Sequence, residues 1–263
     1  MAGITYSVFT KPWRTMSIGQ LGDFVSCLGF DGIELPVRPG FQVEPENVIR
    51  DLPRVARQLA GLGVKICSVA GTADEKTIVA CAEAGVPVIR TMARIDPAEG
   101  YVTAEARYRE ELDALVPLLD AHGVTIGVQN HCDWFVPNAL GLRALLHGYD
   151  PKHVAAVWDA AHEALNGSLP ELAIDVIWPH LCMVNLKNAI WKRTNGPEAE
   201  SAEWKHYWTS GQHGLASWSR VMQELTRRGY EGVVCLTAEY SDESAVDRLI
   251  AGDIARARAL FDQ

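Results

Sequence analysis

The sequence predicts one (β/α)8 barrel spanning residues 1–263. Three observations predict it. Eight short Val- and Ile-rich runs recur along the chain, most of them apolar on both faces, as strands covered on both sides read. A helical pattern follows nearly every run, in one unbroken series without a long linker or a low-complexity stretch. No GxGxxG or GxxxxGK[ST] turn follows an early strand, which argues against an open doubly wound sheet.

Each element has its own local reason. ITYSVF (4–9) is the first strand, and Ser17 is placed to cap the helix that SIGQLGDFVSCLGF forms. GIELP (32–36) follows. The helix NVIRDLPRVARQLAGLG then stops at Gly61 to Gly63, ahead of the strand VKICSVA (64–70). DEKTIVACAEAG leads to VPVIRTM (86–92), and TAEARYREELDALVPLLDAHG to VTIGVQ (124–129). NALGLRALLHG precedes VAAVWD (154–159), and SLPELAIDVIWPH precedes LCMVNL (181–186). The stretch 187–214 shows no period and is expected as a long loop over the barrel mouth. SWSRVMQELTRRGY then leads to the last strand, GVVCLTAE (232–239).

Composition bounds the function. The chain has 263 residues, 48% apolar and 22% charged, enough to bury a core without disulfides or metal staples. A net charge of −9 excludes a generic nucleic-acid binder and disfavours an anionic membrane surface. No apolar run is long enough to span a bilayer, and the N-terminus lacks the pattern of a signal peptide. The six cysteines are scattered without a CxxC pair and read as small buried hydrophobes of a reducing compartment. A cytoplasmic protein is expected.

In such a barrel the chemistry sits at the C-terminal ends of the strands. The polar residues there are Glu34 after the second strand, Arg90 in the fourth and Gln129-Asn130-His131 after the fifth. Asp159 and His162 follow the sixth, Asn185-Leu186-Lys187-Asn188 the seventh, and Glu239-Tyr240 the eighth. Gln129, Asp159, Asn185 and Glu239 offer four oxygen donors from consecutive strands, a plausible hard-cation set. Each, taken singly, also reads as a polar strand end satisfied by loop backbone.

The series GFDGIEL, GVQNH, VWDAAH, VNLKN, GQHGLASW and GYEGVVCLTAEY resembles the xylose isomerase-like TIM-barrel superfamily, the sugar phosphate isomerase/epimerase group. The match runs in order over nearly the whole chain. It implies one divalent cation held by Glu, Asp, His and Glu, with the two Glu residues as paired acid and base; the oxygen donors of this chain suit Mn²⁺ or Mg²⁺. Carried onto this chain, the positions are Gln129, Asp159, Asn185 and Glu239, and only Asp159 and Glu239 match. The Asp after the family's Lys is also an amide here, Asn188.

The amides change the expected chemistry. Gln129 cannot carry a proton at neutral pH, so a two-base epimerisation is disfavoured and Glu239 is left as the single base. Metal affinity should be weak or absent, and if no ion binds, Lys187 is expected to steer Asp159 and Glu239. Lys187 is a candidate to stabilise an enolate or to pair with a carboxylate. His162 is a candidate acid or substrate contact, with a loop cap as its alternative. His131 either contacts substrate or holds its loop. Glu34 is expected to orient Arg90 or a neighbour, and Arg90 to recognise a carboxylate or phosphate. His213 is expected at the mouth. Trp13, with Trp134, Trp191, Trp204 and Trp208, is expected to stack on a sugar ring or to pack between loops. No cluster of Arg and Lys accompanies these tryptophans, so a free sugar, keto-sugar or polyol is expected as substrate.

The leading expectation is a carbohydrate isomerase. A lyase or dehydratase on a keto-sugar comes second, and a metal-poor sugar-binding or partner subunit third. A DNA-repair endonuclease of the same fold is disfavoured by the charge and by the missing histidine on the seventh strand. A homo-oligomer is in keeping with barrels of this group.

Overall fold

A computed structural model describes residues 3–261. Eight parallel strands close a barrel: β1 (Thr5–Phe9), β2 (Gly32–Pro36), β3 (Lys65–Ala70), β4 (Val88–Thr91), β5 (Thr125–Gln129), β6 (Val154–Asp159), β7 (Leu181–Leu186) and, last in the chain, β10 (Val233–Leu236). Strand β10 closes the ring between β7 and β1. All eight runs expected to be strands are strands. Their inward faces pack Phe9, Ala70, Val157, Met183 and Cys235 into the barrel centre. Their outward faces meet the helices in one larger core. That double burial is why the runs lack a polar face.

The expected helices are α1 (Ile18–Cys27), α2 (Val48–Ala60), α3 (Glu75–Ala84), α4 (Tyr101–His122), α5 (Ala139–Leu146), α7 (Pro170–Ile177) and α8 (Trp218–Arg227). Ser17 caps α1 in a full capping box with Gln20. Gly85 and Gly123 end α3 and α4 in left-handed conformations, which places the next strand one turn on. Two helices lie outside the sequence reading: the short α6 (Ala160–Leu165) and the C-terminal α9 (Val246–Phe261). Among the described residues no helix is long and apolar enough to cross a membrane.

The stretch 187–214 corrects the expectation of an irregular loop. It holds an antiparallel hairpin, β8 (Asn188–Arg193) and β9 (Trp204–Thr209), paired from Asn188↔Thr209 to Arg193↔Trp204. Asn188 fixes its base. Its amide donates to the Gly211 and Ala216 carbonyls at 2.9 Å each, and its oxygen accepts from the Ala216 and Ala189 amides. Only a carboxamide both donates and accepts in this way, which accounts for an amide at this position. A Cβ on Gly214 would lie 2.0 Å from the Asn188 oxygen, so the loop closes only on glycine.

Candidate active site

A hydrogen-bonded chain crosses the mouth from β2 to β6. Arg90 forks onto both oxygens of the fully buried Glu34, with Nε and Nη2 each at 2.7 Å, and Ser68 Oγ donates to the same carboxylate at 3.0 Å. Arg90 Nη1 donates to Gln129 Oε1 at 2.5 Å, and Gln129 Nε2 donates to Asp159 Oδ2 at 2.9 Å. The polarity is forced, because a guanidinium only donates and a carboxylate only accepts. Gln129 therefore turns its oxygen to the cation and its N–H to the anion.

Asp159 is fully buried at the end of β6 and caps α6. Its Oδ1 accepts from the Ala161 and His162 backbone amides at 3.0 and 3.1 Å. Burial pushes its pKa up to about 6, against the pull of Lys187 and of those amides.

Glu239 sits beyond β10, immediately after Ala238, a buried non-glycine residue at φ 51°. That strained conformation redirects the chain at the candidate carboxylate. Lys11 Nζ reaches Glu239 Oε1 at 2.5 Å, and Lys187 Nζ reaches Oε2 at 2.8 Å. Burial alone would raise the Glu239 carboxyl, but Lys187 and Lys11 outweigh it and hold it far below the ordinary carboxylate range. Trp208 of β9 lies 3.6 Å from Lys187 Nζ, so the hairpin covers this ion pair with an aromatic face.

Two imidazoles complete the site, stacked with centroids 3.9 Å apart. Burial lowers the pKa of both, His162 well below its usual value, so both are neutral near pH 7. Their partners fix their tautomers. His131 Nδ1 lies 2.7 Å from the Cys132 carbonyl and must carry the proton, leaving a lone pair on Nε2. His162 Nδ1 accepts from the Cys132 amide at 3.1 Å, so its proton is on Nε2.

A cavity of about 100 Å³ opens among these groups. Lys11, Arg38, Arg90, Gln129, His131, His162, Asn185 and Glu239 line it, with Phe9, Met92 and Thr237 as less polar wall. Asn185 is buried there, and neither its amide nitrogen nor its oxygen has a partner among the described residues. Its strand neighbour across β6 and β7 is Asp159.

A family model for the xylose isomerase-like TIM barrel matches residues 23–260. The chain belongs to the xylose isomerase-like TIM-barrel family. No curated protein sequence matches it. Among solved structures it is similar to a probable 3-DHS dehydratase involved in petrobactin synthesis from Bacillus anthracis, at 16% identity and a TM-score of 0.73 over 96% of this chain and 98% of that one. It is also similar to an L-ribulose 3-epimerase, at 15% identity and 0.75 over 100% and 95%. A 3-keto-D-glucoside 4-epimerase from E. coli aligns at 13% identity and 0.73 over 97% and 99%. At these identities the likeness is one of fold.

Membership of the xylose isomerase-like family makes a divalent cation the natural question. The four expected ligands do not fit one. The Gln129 oxygen faces Arg90, both Asp159 oxygens accept N–H groups, and both Glu239 oxygens carry ammonium groups. Only the Asn185 carbonyl is free. Two other groups, His131-Cys132-His162 and Cys132-Asp133-His206, bring candidate ligand atoms within 4.8 Å of one another. Burial pushes the shared Cys132 thiol up to about 12, and His162 Nδ1 is engaged by a backbone amide. Neither group offers a ready ligand set at neutral pH.

Of the residues expected at the site, Gln129, Asp159, Asn185, Glu239, Lys187, His131, His162 and Arg90 are at this cavity or hydrogen-bonded to its lining. Trp13 and His213 are not. Trp13 is buried against Phe24 and donates its indole N–H to Asp247 at 2.8 Å. His213 is exposed in the turn after β9, with Nδ1 2.7 Å from Ser210 Oγ. Among the other tryptophans Trp134, Trp191 and Trp204 are exposed, and Trp208 is the one set against the site. Lys11 and Arg38 were missed, although both follow strand ends, in FTKPW and LPVR. With them Lys11, Arg38, Arg90 and Lys187 gather at one mouth, which corrects the expectation of a site without clustered cations.

Proposed function

We propose that this chain is an isomerase-type enzyme that transfers a proton next to a carbonyl of a polyhydroxylated substrate, with His131 as the base. The observation that carries this reading is the neutral His131 imidazole, its Nδ1 proton committed to the Cys132 carbonyl and its ring lining the cavity. Glu239, expected as the base, is a poor one while two ammonium groups hold it ionised. In this reading His131 Nε2 takes the proton from the carbon beside the carbonyl. The electron pair moves to the carbonyl oxygen, and the enediol(ate) is stabilised by N–H groups of Lys11 and Lys187. The hydroxyl proton of the enediol(ate) passes from its oxygen to the former carbonyl oxygen while His131 returns the carbon-bound proton to the neighbouring carbon on the same face, which interconverts aldose and ketose. No second base on the opposite face is needed.

A dehydratase is the second reading. The fixed Nε2–H of His162, stacked on His131, could protonate a departing hydroxyl β to the carbonyl. The test for both is incubation of the enzyme in D₂O with a panel of aldoses, ketoses and sugar acids, read by NMR and mass spectrometry. Solvent deuterium should enter beside the carbonyl and its entry should drop at least 100-fold in His131→Gln. Loss of water from the product selects the dehydratase. Absence of exchange across the panel, or full exchange by His131→Gln, contradicts the proposal.

A further inference from the structure

We infer that the cavity binds a carboxylate-bearing polyhydroxy substrate, with Arg38 as the receptor for the carboxylate and Asn185 as a hydrogen-bonding partner for the bound molecule. The inference deepens the proposed function and rests on its reading of this cavity as the substrate site.

Four observations converge on it. The Arg38 side chain is half-buried, lines the cavity, and makes no hydrogen bond or ion pair with any described residue. Every other charged group of the cavity lining has a close partner of opposite charge. Arg38 also shares the Phe9 ring with Arg90, their guanidinium carbons 5.6 and 4.8 Å from its centroid. Two guanidinium groups on one ring repel, and burial together with Arg90 pulls the Arg38 pKa down. An anion at Arg38 relieves that repulsion.

Asn185 is the second ligand-directed feature. It is 1% exposed, lines the same cavity, and leaves a donor and an acceptor unused. A buried carboxamide with no partner carries an uncompensated desolvation cost, recovered when a hydroxyl or carboxylate pairs with it. The charge balance selects the kind of anion. Lys11, Arg38, Arg90 and Lys187 stand against Glu34, Asp159 and Glu239, leaving one positive charge. A monoanionic carboxylate neutralises the site, whereas a phosphate dianion overshoots it. The planar fork of a free guanidinium also matches a carboxylate in two-point contact.

The test uses a matched pair, D-gluconate and D-sorbitol, which share a carbon skeleton and differ in carboxylate against CH₂OH. Sorbitol 6-phosphate is the third probe. Dissociation constants are measured by calorimetry on the wild-type chain, on Arg38→Gln and on Arg14→Gln, which removes an exposed arginine beside the mouth. Gluconate should bind at least tenfold tighter than sorbitol and than the phosphate. That preference should vanish in Arg38→Gln and persist in Arg14→Gln. Equal affinity for gluconate and sorbitol, preference for the phosphate, a preference unchanged in Arg38→Gln, or no gluconate binding at 10 mM each overturns the inference. Deuterium exchange into neutral sugars alone, in the panel above, would overturn it while leaving the proposed proton transfer standing. Failure of every panel member to exchange would reject that proton transfer, and the gluconate–sorbitol preference would still be read separately.

Discussion

Restoring the family's carboxylate with Gln129→Glu should destabilise this chain. In the wild type, Gln129 Nε2 donates to Asp159 Oδ2 across 2.9 Å inside a buried chain. The substitution replaces that donor with a second carboxylate oxygen. It removes a hydrogen bond to a charged group, worth about 1.5–3 kcal/mol. It also sets two carboxylates about 3 Å apart, a repulsion of about 5 kcal/mol at an effective dielectric of about 20. Two effects offset this: Arg90 gains an ionised partner, and the pair can take up one shared proton at about 1.4 kcal/mol per pKa unit. The net expectation is a loss of about 2–4 kcal/mol at pH 7. For a chain of this size that is a fall of about 5–15 °C in midpoint. The repulsion raises the folded-state pKa of the pair, so the deficit is present at pH 7 and shrinks as pH falls through that value. Thermal unfolding in EDTA at pH 7 and pH 5, with 1 mM Mn²⁺ beside it, measures all of this. Mn²⁺ should recover much of the loss in the variant and leave the wild type unmoved. A variant as stable as wild type in EDTA at pH 7 would refute the assignment of Gln129 as a bridge between cation and anion.

Three further outcomes follow from the same geometry. Lys187→Met should cost several-fold more stability than Lys11→Met in urea unfolding, because the Lys187 side chain is 5% exposed and Lys11 is 46% exposed. Wild-type stability should carry a component that declines as pH rises from about 4 to 6, since the Asp159 pKa is raised to about 6 in the fold; Asp159→Asn should remove that component from the stability–pH curve. Gly214→Ala should force the Asn188 carboxamide aside and loosen the hairpin, read as faster proteolysis between residues 194 and 203 with the barrel's midpoint changed by only a few degrees.

Much of this site was legible because a barrel converts strand order into position. Once eight runs are strands, the residues that end them must share one mouth, and Gln129, Asp159, Asn185 and Glu239 fall there with no further information. What the sequence hid depends on reach and on partners. Lys11 and Arg38 leave the chain beyond β1 and β2, and only their long side chains return to the mouth. The hairpin escaped because only its base is buried, with Ala189 and Trp208 in a small cluster on α6, while the rest of both strands is part-exposed or exposed and lacks the apolar period that marks a buried strand. Trp13 reads equally as a ring platform or as packing, and the fold selects packing: the strand-to-helix turn folds it under α9, where Asp247 satisfies its N–H. The amides at 129 and 185 read as lost ligands. In the fold one of them bridges Arg90 to Asp159, and the other faces an open cavity with both polar atoms unused.

The most direct test of the account is the deuterium exchange rate of metal-stripped enzyme. The protein is dialysed against EDTA, checked by plasma mass spectrometry, and assayed in D₂O with and without added Mn²⁺. The exchange rate should be the same in both and lost in His131→Gln. Exchange that disappears with the metal and returns with Mn²⁺ would contradict it.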